Sequence, residues 1–357
     1  MEPFRAQETS AVIALSGLIV WQIRDRLPLI VSIAWAYFLI SAARVAPIER
    51  LTQVTEAASQ VTRKTIHVGH SSATALLLLL LVPLVGIFAS RRQRIGFLAV
   101  LIAALTANFF SLLLTKQHVG LFDCSSFDAG VMAAVLPIAV APFILRSEIN
   151  WQIAGLGVVG LLVPLGAAIV TQSTTPVYLL VAFAGLLTFF EASKRVRFIL
   201  ASVAGALFIF GVFFVDRGMF DTNGRTAGWI FFMKWWREHG NLWVGTGGGT
   251  FEYMGSLIQM SEPGFSLTDG GGGWMWLHND WLQILFEYGV TGLALATAVF
   301  AAALYHARRR PWVFCGLVLY GLLAGAQFPT HWVITQLWAV FLLTEAFASQ
   351  THEDAPG

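Results

Sequence analysis

The sequence predicts an all-α, polytopic transmembrane helix bundle of about 11 to 12 helices, with one long outer segment carrying short interfacial helices. Three observations predict it. The 357 residues are 57% hydrophobic and only 12% charged, whereas about a quarter of the residues in soluble domains carry charge. Apolar runs close to the roughly 20 residues that cross a bilayer recur along the chain. Short connectors rich in Lys and Arg alternate with connectors that are not, the pattern of cytoplasmic and outer loops.

The apolar runs fall at 10–23, 27–45, 72–90, 95–115, 127–145, 151–171, 175–190, 198–215, 281–305, 311–328 and 331–349. The first, Ala11 to Ile23, is followed by "RDR" and a further span with no clear cleavage site, and reads as a retained helix. Basic connectors at 24–26, 91–94, Arg146, 193–197 and 306–310 are expected inside. Those at 46–71, 116–126, 171–176, 216–280 and 328–331 then face outward, which puts the N-terminus outside and the C-terminus inside.

The chain therefore divides into N-terminal transmembrane helices at 1–215, an outer segment at 216–280, and C-terminal transmembrane helices with a short tail at 281–357. A net charge of +2, with its charges scattered, argues against a nucleic-acid partner. Cys124 and Cys315 show no metal spacing, and a disulfide framework is not expected. Thirteen Trp and 28 Phe suit anchoring at lipid headgroups. No internal repeat is visible, and the glycine clusters at 245–249 and 270–273 both lie in the outer segment. Unstructured connections as long as that segment are uncommon unless functional.

Within it, Trp229, Phe232, Met233 and Trp236 stand at i, i+3, i+4 and i+7, one face of a helix, expected to lie along the outer membrane surface. Arg225 stands at the start of that helix, where unpaired N–H groups already favour an anion and a guanidinium can grip a phosphate. A snorkelling or loop-bracing arginine is the alternative. "GTGGGT" at 245–250 is not GxGxxG and lacks GK[ST], so it reads as backbone able to fold tightly against the membrane helices rather than as a nucleotide loop.

The next span opens "LHNDWLQILFEYGVTG". Asp280, Gln283 and Glu287 form one polar stripe at i, i+3 and i+7. A carboxylate carried into hydrocarbon needs a partner or a wet cavity, so Glu287 is expected to have one. Gly289 and Gly292 would let a neighbouring helix approach closely. Asn279 and Asp280 are both N-cap candidates. His278 precedes the helix at the water boundary, where an imidazole can exchange protons or can simply be an interfacial polar residue. His67 and His70 have i, i+3 spacing but no third ligand in sight. His331 and Trp332 read as an interfacial anchor, while Lys116, Arg63 and Lys64 could supply positive charge near a pocket.

At these residues the chain resembles the O-antigen ligase and polysaccharide polymerase superfamily. His278-Asn279, nine residues, then Gly289-Val290-Thr291-Gly292 is similar to that family's H-[NSQ]-x9-G-x-x-G. Gly224 to Phe251 is similar to its G-R-[ST]-x-x-W followed by G-x-G-x-G-x-F. The resemblance implies a GT-C-like bundle in the bacterial inner membrane with its active site on the periplasmic face. It implies a donor glycan on undecaprenyl pyrophosphate, and a glycan or lipid A-core acceptor hydroxyl. Other envelope glycan assembly proteins and membrane lipid are the further partners, with no nucleic acid. No cofactor and no metal are implied, since arginines can stand against the developing phosphate charge. In such a transferase Arg225 would hold the pyrophosphate and His278 the acceptor hydroxyl. Asn279 and Asp280 would orient His278 or sugar hydroxyls, and Gln283 and Glu287 would complete the polar binding surface, with Glu287 as a supporting contact.

The chain departs from the family pattern where a T-x-S-R element is expected and Thr171-Gln172-Ser173-Thr174 stands instead. That departure, with "GLF" at 120–122, is more similar to the exopolysaccharide polymerase branch, although Cys124-Ser125-Ser126 replaces that branch's His-Lys-Asn. Lys116 or Arg217 is the expected substitute cation. Three alternatives stay open: an O-antigen ligase, a polysaccharide transporter or flippase, and a scaffold subunit with a decayed motif.

Overall fold

A computed structural model of the chain describes residues 28–43, 225–251, 277–326 and 333–347, with isolated helical positions between 100 and 114, 162 and 190, and 254 and 259. Among the described residues the regular structure is entirely helical, without strands. Five helices are continuous: α1 (Leu29–Ala43), α2 (Arg225–His239), α3 (Asp280–Ala307), α4 (Pro311–Ala326) and α5 (Val333–Phe347). Of these, α3 alone is both long and apolar enough to cross a membrane, while α1, α4 and α5 contain shorter apolar stretches. Lys116, Arg217, His67, His70, His331 and the element at Thr171–Thr174 lie outside the described residues.

The chain divides into two compact units. One comprises Met1–Ile87, Gly224–Ala302 and Ala324–Val340, and the other Phe88–Asn223, Ala303–Leu323 and Phe341–Gly357.

In the first unit, α1 starts directly after Pro28, whose carbonyl accepts from Val31 N and Ser32 N at 2.9 and 3.2 Å. Proline ahead of a helix suits this start, since its missing N–H would have found no intrahelical partner. Helix α2 buries Gly228, Phe232 and Trp236, one per turn. Phe232, Trp236, Phe251, Ile258, Leu277 and Phe286 form one core, with Trp229 and Met233 packed at its edge. The Phe251 ring meets Phe232 and Phe286 edge to face, at centroid separations of 4.9 and 5.1 Å. Each buried aromatic side chain contributes about 1.5–3 kcal/mol of transfer free energy, with a further edge-to-face attraction. The expected aromatic face exists, and its Phe232 and Trp236 are buried against side chains from 251–258 and 277–286.

In the second unit, Pro311 occupies the first position of α4, and Phe314 N donates to Arg310 O at 3.1 Å to close its first turn. Arg310 Nη1 donates to both the Glu345 carbonyl and its carboxylate, at 3.0 and 3.3 Å. Cys315, Leu319 and Leu323 form a buried stripe against Ala182, Leu186 and Phe190. Gly316 is narrow enough for the Leu342 side chain, which a Cβ would meet at 2.8 Å.

Candidate functional site

Helix α3 is not one uninterrupted rod. At Gly289 the backbone turns to φ 68, ψ −171, which breaks the helical ladder. In an unbroken helix Phe286 O and Glu287 O would accept from Val290 N and Thr291 N. Here the glycine loop takes those places. Thr246 N donates to Phe286 O at 3.0 Å and Gly247 N to Glu287 O at 2.8 Å. In the other direction Val290 N donates to Leu242 O at 2.9 Å and Thr291 N to Trp243 O at 3.2 Å. The loop thus repairs the ladder that Gly289 opens, so four backbone groups keep their partners.

That repair requires very close backbone approach. A Cβ on Gly289 would lie 2.5 Å from the Trp243 carbonyl carbon and 2.6 Å from Gly245 N. A Cβ on Gly245 would fall on the Glu287 carbonyl and the Tyr288 amide. The G-x-G-x-G spacing also has a conformational cause, because Gly245, Gly247 and Gly249 all have positive φ. Folding of this loop against a helix was readable from its sequence. The reason for Gly289 was not. Gly292 does face a neighbouring helix, since a Cβ there would stand 3.3 Å from Tyr37 of α1, whereas Gly289 admits a loop.

The polar stripe of α3 closes the same junction. The Glu287 carboxylate accepts from Gly249 N at 2.9 Å through Oε2 and from Phe251 N at 3.1 Å through Oε1. Gln283 Nε2 adds a third bond to Oε1 at 3.1 Å, and Gln283 Oε1 accepts from Leu277 N at 3.3 Å. Glu287 and Gln283 are each 3% exposed. A helical turn begins at Phe251, where Met254 N donates to Thr250 O at 3.0 Å. The carboxylate therefore sits where a helix presents unpaired N–H groups and positive dipole. Glu287 has the partners expected of it, two main-chain amides and the Gln283 side chain.

At the start of α3, Asn279 is the N-cap: its Oδ1 accepts from Leu282 N at 3.0 Å, while its Nδ2 donates to Gly325 O of α4 at 2.8 Å. Asp280 is the first helical residue and is 1% exposed. His278, just before the cap, is half-buried, with φ 52. Among the described residues no other non-glycine has positive φ. Left-handed backbone at a bulky residue is uncommon and costs of order 1 kcal/mol, so surrounding bonds must hold it.

Arg225 is the first residue of α2 and half-buried. One turn on, the Trp229 indole N–H donates to the carbonyl of Leu277, the residue before His278. Residues i and i+4 on a helix stand about 5–6 Å apart at Cβ. The first turn of α2 and the residue before His278 are thus tied together through Trp229. Sequence spacing identified Trp229 as part of an aromatic face but not as this tie. Tyr37 was also missed: its hydroxyl donates to Tyr288 O at 2.6 Å, and a lone tyrosine in an apolar run gives no signal of that.

Chemically the arrangement offers an imidazole at a fixed backbone position, a guanidinium at a helix N-terminus, and a buried bracket from Gln283 and Glu287. Comparison with models of known protein families and with curated protein sequences gives no match to this chain.

Proposed function

We propose that the protein is a lipid-linked glycan transferase of the O-antigen ligase and polysaccharide polymerase type, acting as a surface or exopolysaccharide polymerase. The complete protein would be an 11- to 12-helix, GT-C-like bundle of the bacterial inner membrane, on the order of 20 residues per span, with its site on the periplasmic face. The observation that carries the reading is the interlock between the two motif segments. The G-x-G-x-G-x-F loop repairs the break at the first glycine of G-V-T-G, and the residues leading into both segments are joined by the Trp229–Leu277 bond. Two patterns 40 residues apart in sequence are thus hydrogen-bonded to each other, which supports a role for Arg225 and His278 in one site.

In the proposed reaction the acceptor hydroxyl oxygen attacks the anomeric carbon of the donor sugar while the bond from that carbon to the pyrophosphate oxygen breaks. The hydroxyl proton passes to His278 as general base. The leaving undecaprenyl pyrophosphate keeps the bonding electrons, and Arg225 stabilises its charge. Asn279 fixes the position of His278 from the cap, and Gln283 and Glu287 brace the loop behind it. Lys116 and Arg217 are the proposed source of a second cation.

An interrupted helix is also a transporter feature, because freed backbone groups can coordinate cargo. Here those groups are already taken by the loop, which favours a braced site over an ion or substrate cradle. Polymerase and ligase share donor chemistry and differ in acceptor.

The test is His278→Ala and Arg225→Ala with protein level in the membrane held equal. Both variants are expected to lose product, and parental product from either removes that residue from the mechanism. In a deletion strain, loss of long chains with one repeat still attached to the lipid core marks a polymerase. Unattached lipid-linked chains that accumulate mark a ligase.

A further inference from the structure

The break at Gly289 divides α3 into two limbs of different character. The limb from Val290 to Ala307 is 18 residues, about 27 Å long at 1.5 Å per residue, close to the roughly 30 Å hydrocarbon thickness of a bilayer. Among its side chains only His306 is ionisable apart from Tyr305, and both lie in the last turn, just before Arg308, Arg309 and Arg310. The limb from Asp280 to Tyr288 holds the whole polar stripe. If the arginine turn marks one face of the bilayer, the other face falls at Gly289.

A loop is bonded to the helix at that level. Leu242 and Trp243, whose carbonyls receive the first two amides of the apolar limb, are 54% and 65% exposed, and Val290 beside them is 37% exposed. The backbone of this corner is nonetheless hydrogen-bonded at several points. Asn241 Oδ1 accepts from Trp243 N at 3.0 Å and from Val244 N at 3.2 Å, and Asn241 O accepts from Gly245 N at 2.8 Å. A tight turn with its amides bonded inward and two large apolar side chains turned outward suits the boundary between acyl chains and headgroups, where tryptophan is enriched. In water the same exposure would be unfavourable by about 25 cal/mol per Å² of apolar surface.

We propose that Leu242 and Trp243 form a membrane-interface anchor whose partner is the lipid at the headgroup–acyl boundary of the outer leaflet. The anchor is joined by backbone hydrogen bonds to the break in α3, so it fixes the height at which Asp280–Tyr288, and with it His278, stands above the hydrocarbon. The inference depends on α3 crossing a bilayer and not on glycan chemistry. Loss or retention of product in any variant therefore leaves it standing.

The test uses the full chain with Cys124 and Cys315 replaced by alanine, reconstituted in phosphatidylcholine vesicles, and a bimane probe on a single new cysteine. Trp243→Cys and Leu242→Cys are made separately, so that failure of one to fold leaves the other. Thr297→Cys, exposed half-way along the apolar limb, is the deep reference. Lipids brominated near the headgroup end of the chain are expected to quench the probe at 242 or 243 more than lipids brominated near the chain terminus, with the reverse order at 297. Quenching by neither lipid at 242 and 243, or stronger quenching there by the deep bromines, overturns the proposal.

Discussion

The carboxylate of Glu287 and the backbone N–H of Phe251 are hydrogen-bonded at 3.1 Å inside a core where Glu287 is 3% exposed. With Gly249 N on the other oxygen, one side chain of α3 holds the end of the glycine loop and the start of the following helical turn. Glu287→Gln replaces one acceptor oxygen by an NH2 group that faces an N–H donor. Leaving such a donor unsatisfied in a core costs about 1–3 kcal/mol. The purified protein should lose several degrees of Tm, and Glu287→Ala should lose more. An unchanged Tm in both variants would show that the bracket does not hold the loop.

Gly289→Ala tests the repaired break. The added methyl would stand 2.5 Å from the Trp243 backbone, and the backbone has φ 68, which alanine rarely adopts. Neither contact can yield without displacing the loop. The variant should accumulate poorly in the membrane and expose 242–250 to protease. Gly325→Ala is the matched control, because its Cβ would meet only Trp281 Cδ1 at 3.9 Å, an ordinary contact. Parental protease resistance in Gly289→Ala would refute the interlock.

These two positions mark how far the sequence could be read. The stripe Asp280, Gln283, Glu287 was legible because helical periodicity places the three residues on one face, and the need of Glu287 for a partner followed from desolvation alone. Its partner was not legible. Backbone amides leave no side-chain signature, and those at 249 and 251 are brought to it by a turn rather than by spacing. Gly289 and Gly292 carried the same sequence signal for close approach, yet one meets a loop and the other meets Tyr37. Aromatic periodicity on α2 likewise gave the buried face but not what buries it, because protein and lipid both accept Phe and Trp.

Asn279 combines two bonds that substitution can separate. Its Oδ1 caps α3 at Leu282 N, and its Nδ2 reaches Gly325 O on α4. Serine keeps a capping oxygen and loses the reach to α4, whereas alanine loses both. Loss of an N-cap costs about 0.5–2 kcal/mol, and a neutral hydrogen bond contributes about 0.5–1.5 kcal/mol. Thermal unfolding should rank the parent above Asn279→Ser and Asn279→Ala lowest. If serine and alanine are equal, the cap contributes nothing measurable and only the bond to α4 matters.

His278 allows stability and activity to be pulled apart at a single residue. Its φ of 52 disfavours any side chain with a Cβ, so alanine keeps the conformational cost while losing every imidazole contact. Glycine removes that cost, although it also gives the unfolded chain more freedom. The two effects are each about 0.4–1 kcal/mol and oppose one another, so the loss of imidazole contacts that glycine shares with alanine should leave His278→Gly below the parental temperature. His278→Ala should unfold lower than His278→Gly, the reverse of the ordinary order for these two residues in a helix. In the proposed reaction neither variant has a base for the acceptor hydroxyl, so both should lose product. The result that would remove His278 from the chemistry is parental product from a stably folded His278→Gly protein. A higher Tm for alanine than for glycine would instead show that the residue is not held in the left-handed region.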